Sequence, residues 1–135
     1  MNTNAGFEFR NGKEFADHVL KALSRVSASK GARFTVMFSF CYDSEEFVRD
    51  YAAALETINW EAKVAHHPEA PKPWVIRMSR PMAADKRVLR QIGDIAAVSQ
   101  EEKRGVFEMW GAVCISGDEA ATTQRGLLWR LFGGA

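Results

Sequence analysis

The stretch Arg33-Phe34-Thr35-Val36-Met37-Phe38-Ser39-Phe40-Cys41-Tyr42 sets Phe34, Val36, Phe38, Phe40 and Tyr42 on alternate positions, with Thr35, Met37, Ser39 and Cys41 between them. Unbroken period two is the signature of a strand with two unlike faces. One face is aromatic and calls for a thick cover. The other mixes Met37 and Cys41 with small hydroxyls and is itself partly apolar.

Both flanks of this strand read as helix. Upstream, Asn11 and Glu14 form an N-cap pair, and Phe15, Val19, Ala22, Leu23 and Val26 recur at three- and four-residue spacing, so a helix runs toward Gly31. Downstream, Asp43 offers a capping oxygen with Glu46 three residues on. Phe47, Tyr51, Ala54, Leu55 and Ile58 then line a second helix, which Asn59 closes in the left-handed conformation. Residues 61–67 and 74–79 read as short strands joined by the loop Pro68-Glu69-Ala70-Pro71-Lys72-Pro73. Val88, Leu89, Ile92, Ile95 and Ala96 mark a third helix that starts between Pro81 and Asp85 and leaves through Ser99-Gln100-Glu101-Glu102-Lys103. Residues 106–115 form a last strand, and 118–132, with Leu127, Leu128, Trp129, Leu131 and Phe132, are a candidate terminal helix.

The resulting order, a helix followed by β-α-β-β-α-β, is the α+β, ferredoxin-like split β-α-β arrangement. Right-handed crossovers give a four-stranded antiparallel sheet in the order 4-1-3-2, with an added N-terminal helix. Residues 1–10 are an N-terminal arm, 11–116 a single domain and 117–135 a C-terminal tail. Cys41 and Cys114 fall at opposite ends of neighbouring strands, which argues against a bridge between them. The apolar second face needs a cover, for which the N-terminal helix, the tail and a second copy of the chain are the candidates.

A chain of 135 residues with 47% hydrophobic and 26% charged residues fits one globular domain. Its 18 basic and 17 acidic residues leave a net charge of +1, which argues against a protein that coats nucleic acid or an anionic membrane. The start of the chain lacks a signal-peptide pattern, no run is apolar enough to span a bilayer, and the two cysteines suit free thiols, so a cytoplasmic location is expected.

Catalytic signatures are missing. There is no nucleophile elbow, phosphate loop, dinucleotide fingerprint or zinc-peptidase motif. His66 and His67 send their rings to opposite faces, so no metal site is expected from them or from His18, and no cofactor either. Asp43, Glu45 and Glu46 are explained by capping and the helix dipole. Arg77, Arg80, Lys86, Arg87 and Arg90 are the densest basic region, read as a solvated face, with a contact to RNA phosphate or an acidic protein as the sharper reading. Lys103-Arg104-Gly105-Val106-Phe107-Glu108-Met109-Trp110 echoes the strand motif of RNA-recognition domains, but it lies on the fourth strand instead of the third.

The segment Gly105-Val106-Phe107-Glu108-Met109-Trp110-Gly111 resembles the aromatic-acidic-x-Trp-Gly signature of the ribonuclease E inhibitor family, the RraB-type regulators of ribonuclease activity. Trp110 and Gly111 match outright, while Phe107 stands for Tyr, Glu108 for Asp and Met109 for Gly. Leu55-Glu56-Thr57-Ile58-Asn59-Trp60-Glu61-Ala62 looks like that family's helix end, turn and aromatic-led strand, with Asn59 for a common Gly. The likeness covers about residues 33–113. It implies a cytoplasmic protein without an active site that binds a ribonuclease or its assembly and modulates RNA decay. The better-known members are acidic and end in an acidic tail, unlike this neutral chain.

Trp110 beside Gly111 reads as an anchor, either of the core or of an interface. Strict alternation puts Glu108 and Trp110 on one face of the last strand and Phe107 and Met109 on the other. The carboxylate marks its side as the one that meets solvent or a partner, so Glu108, Trp110 and Gly111 are the expected partner-binding residues. The rival expectation is a small-molecule-binding or enzymatic ferredoxin-like dimer, with Tyr42, His66 and Trp74 lining its pocket.

Overall fold

A computed structural model describes residues 2–27 and 31–115. Its elements are β1 (Asn2–Ala5), α1 (Gly12–Val26), β2 (Arg33–Tyr42), α2 (Glu45–Thr57), β3 (Glu61–His66), β4 (Trp74–Ala83), α3 (Lys86–Glu101) and β5 (Gly105–Ile115). The alternating stretch becomes β2, and β2 is the sheet's middle strand, antiparallel to β5 on one side and to β4 on the other. With β3 on β4, the order β5-β2-β4-β3 reproduces the expected arrangement of four strands. The N-terminal arm adds to it: β1 pairs with β5 and makes a fifth strand at that edge.

Capping side chains set the helix starts. Asn11 Oδ1 accepts from the Glu14 amide at 2.9 Å, as its position predicts. For α2 the cap is Ser44, whose Oγ accepts from Phe47 N at 3.1 Å, and the expected cap Asp43 is held instead by Lys72 Nζ at 3.1 Å. Asn59 closes α2 with φ 71°. Asp85 caps α3 through Arg87 N at 2.9 Å. β4 runs past the expected end at Ser79 to Ala83, through Pro81. The last pair between β3 and β4 is Glu61 with Ser79, so at Pro81 only β2 flanks β4, and a missing N–H is tolerated there.

All three helices bury their apolar stripes in one core, on the face that carries Phe34, Val36, Phe38, Phe40 and Tyr42. In α3 the stripe is Leu89, Ile92, Gly93, Ala96 and Ser99, whereas Ile95, expected inside, is exposed. α1 belongs to this layer, since the Phe15 ring lies 5.3 Å from Phe38 and 5.5 Å from Phe107. The N-terminal helix is therefore not the cover of the second face. The tail at 117–135 and its candidate helix lie outside the described residues.

Candidate functional site

Between Ser39 and Phe40 of β2 the pairing with β5 shifts: Phe40 faces Phe107 and Ser39 faces Met109, leaving Glu108 as an extra residue. This bulge breaks the alternation on which the expected site depended. Phe107 and Trp110 now share the helix-covered face, where Phe107 lies 5.0 Å from Phe40 and Trp110 lies 6.2 Å from Phe38, ring to ring. Met109 packs with Met37 and Val113 on the other face, and Glu108 Oε1 accepts from Ser39 Oγ at 2.6 Å there. Glu108 and Trp110 thus do not share a face, contrary to strict alternation. Trp110 is 1% exposed and belongs to the core. Gly111, opposite Met37, stays with Glu108 on the second face.

That second face is chemically mixed. The register aligns Met109, Ser39, Arg77 and Lys63 across four strands, with Glu108 beside Met109. The next row holds Val106, Cys41, Val75 and Ala65, and on the opposite side comes Gly111, Met37, Ser79 and Glu61. Thr35, Met37, Ser39 and Cys41 are all buried, and so are Val75 and Ser79. Most of these residues escaped the sequence reading as site members. The signal was present in β4, where Arg77 and Ser79 alternate with the core residues Ile76 and Met78.

Burial pushes the Cys41 thiol up to about 12, and the nearby Glu108 carboxylate adds to the shift. At pH 8 only about one Cys41 in ten thousand is then thiolate. Cys114 is exposed, so iodoacetamide at that pH is expected to label Cys114 quickly and Cys41 only after unfolding. Peptide mass spectrometry reads this directly. Equal labelling of both in the folded protein would mean that the second face is open at Cys41. The two cysteines sit at opposite ends of their strands, Cys41 opposite Val106 and Cys114 opposite Phe34, and neither is bridged.

No protein family, curated protein or solved structure matches this chain.

The remaining sequence candidates are dispersed. Tyr42, Trp74 and His66 do form one cross-strand row, with the His66 and Trp74 rings 4.7 Å apart. The cavity beside Tyr42, lined also by Ser44, Phe47, Ser99 and Arg104, holds about 70 Å³, well below the several hundred Å³ of a metabolite pocket. Burial also raises Tyr42 to about 12. His18 stacks on Phe7 at 3.7 Å, and burial pulls it below its ordinary range. Glu45 pairs with Arg49, and Lys86 with Asp17. The basic region splits: Arg77 joins the second face, Arg80 lies over Trp60 at 5.9 Å, and Lys86, Arg87 and Arg90 stand on α3. Among the described residues no cluster is suited to a metal, and no helix is long and apolar enough to cross a membrane.

Proposed function

We propose that this chain is a non-enzymatic, cytoplasmic protein-binding regulator of RNA decay, resembling the ribonuclease E inhibitors, which seats the half-buried β5 part of its second face, at Glu108 and Met109, on a ribonuclease or a protein of its assembly. The bulge at Glu108 is the observation that carries this reading. It divides the segment that bears the family resemblance into a buried half, Phe107 and Trp110, and a half turned to the second face, Glu108 and Met109. A carboxylate beside apolar side chains is the composition of an interface edge, where charge selects the partner and sets the encounter rate.

Tagged full-length protein is to be purified from its native cells with and without nuclease, and its companions identified by mass spectrometry. Nuclease-resistant recovery of a ribonuclease or its assembly is the expected result. Glu108→Lys should lower that recovery about tenfold while near-UV circular dichroism stays unchanged. Recovery of the chain alone, or equal recovery by the folded variant, would overturn the reading.

A further inference from the structure

Met37 on the middle strand β2 is 0% exposed, yet its sheet neighbours do not roof it. Its row holds Gly111 and Ser79, both too small to cover a methionine, and its apolar contacts are Met109 and Val113 on β5. Thr35, Ser39 and Ser79 beside it are buried as well. All three helices pack on the opposite face, together with Phe7 and Phe9 of the arm. An antiparallel sheet covered on one side only leaves its outer side chains open to water. The loop between β3 and β4 reaches the second face at Cys41, where the Lys72 amide bonds the thiol, but Cys41 lies about 13 Å along the strand from Met37. Burial falls off toward both edges: Met109 and Val113 on β5, and Glu61 and Lys63 on β3, are half-buried. The cover over Met37 is therefore about two strands wide, roughly 10 Å, which is the width of one helix. The burial is complete within a single chain, so a second copy does not supply it. Residue 1 and residues 28–30 are too few to do so, which leaves 116–135.

We propose that the chain's own segment 118–132 docks on this face as an amphipathic helix, with Leu127, Leu128, Leu131 and Phe132 against Met37 and its neighbours. At helical spacing those four side chains fall within about 140° of the circumference, and Ala120 and Ala121 fall on the same side. Asp118, Glu119, Thr122, Arg125 and Arg130 fall outside that arc, toward water. The point of departure suits the docking. Ile115 is buried, follows Val113 on the second face and pairs with Arg33 at the start of β2, so the chain arrives beside the strand it covers. A helix over 118–132 is about 22 Å long, enough to follow β2 from Arg33 to Ser39. Such a cover leaves Glu108 and Met109 on β5 half-buried, as they are, and does not depend on the partner-binding reading.

The test uses the full chain with 13C-labelled methionine and leucine methyl groups. Nuclear Overhauser contacts are expected between the Met37 methyl and those of Leu127, Leu128 or Leu131. In a mixture of labelled and unlabelled chains, an isotope-filtered experiment should show none of them, because the contact is made within one chain. Oxidation by hydrogen peroxide is the second readout. Leu128→Asp with Leu131→Asp should raise the rate of sulfoxide formation at Met37 about tenfold, read by peptide mass spectrometry, whereas Thr122→Asp with Arg130→Asp leaves it within about twofold. Near-UV circular dichroism separates undocking from unfolding, and if the first pair unfolds the chain, the methyl contacts of the wild type decide alone. Absence of contact between Met37 and these leucines, contacts that survive the isotope filter and so belong to a second copy, or equal oxidation of Met37 in the two folded aspartate pairs would each overturn the docking.

Discussion

Trp110→Ala is expected to destabilise the protein by about 3–5 kcal/mol, seen as a fall in Tm on the order of 10–20 °C. The indole is 1% exposed and heads the fully buried side chains by volume. It stacks on Phe38, and Phe38 in turn meets Phe15 and Trp60, so the ring joins the sheet to the helix layer. Truncation removes that contact area and leaves a hole which aromatic neighbours fill only in part. Trp110→Phe should cost less than about half as much, because most of the volume returns and the Nε1–H, buried without a partner among the described residues, is deleted. Urea unfolding of the three proteins checks both numbers. Were Trp110 an exposed partner contact, the alanine variant would unfold within about 0.5 kcal/mol of wild type.

The difference between those outcomes turns on a feature that period-two reading has no means of seeing. Alternation is a local rule, and it succeeds along all of β2, where ten residues pair without a break on the β4 side. In β5 one added residue at Glu108 reverses the facing of everything on one side of it relative to the other. No Gly or Pro marks the spot, since Val106 to Gly111 looks like ordinary strand composition. Its cause is tertiary: Phe107 and Trp110 are both large aromatics drawn to one core, three positions apart, and a regular strand would send them to opposite faces. The capping of α2 failed for a related reason. Asp43 and Ser44 are both good caps, and the choice between them was made by Lys72, 29 positions from Asp43 in the chain. Order and pairing of four strands were legible because hydrophobic period and connection length determine them. β1 was not, for Asn2–Ala5 has no apolar alternation, and its place comes from pairing with the backbone of β5.

The candidate site was legible in the same partial way. The unlike second face of β2, with Thr35, Met37, Ser39 and Cys41, follows from the sequence, as does its need for a cover. Arg77 was grouped with Arg80, Lys86, Arg87 and Arg90 because they are close in sequence. In the folded chain its neighbours are Ser39 and Lys63, brought by β2 and β3. Charge density along a chain therefore misjudged this residue. A strand separates successive side chains by face, so that Arg77 and Ser79 face away from the core while Ile76 and Met78 enter it.

Gly93→Ala is expected to destabilise the protein by about 1–3 kcal/mol, opposite in sign to the same change in an exposed helix, where alanine gains about 1 kcal/mol over glycine. Gly93 lies inside α3 on its buried stripe, where α1 crosses. A Cβ there would stand 2.5 Å from Phe15 Cβ, 2.8 Å from Phe15 Cγ and 2.9 Å from the Gly12 Cα. Phe15 has no room to retreat, being itself 0% exposed and ringed by Phe7, Phe9, Phe38 and Phe107. Gly12 is backbone, held to Asp94 Oδ1 through its N–H at 2.8 Å. The helices must therefore separate, and separation strains the Gly12–Asp94 bond as well as the aromatic contacts. Since Gly12 and Gly93 meet across one crossing, their alanine variants should be non-additive: once the first has forced the helices apart, the second costs less than it does alone. Urea midpoints of the two single variants and the double one decide the matter. A raised midpoint for Gly93→Ala would refute the close crossing, and strictly additive losses would show that the two glycines relieve separate contacts.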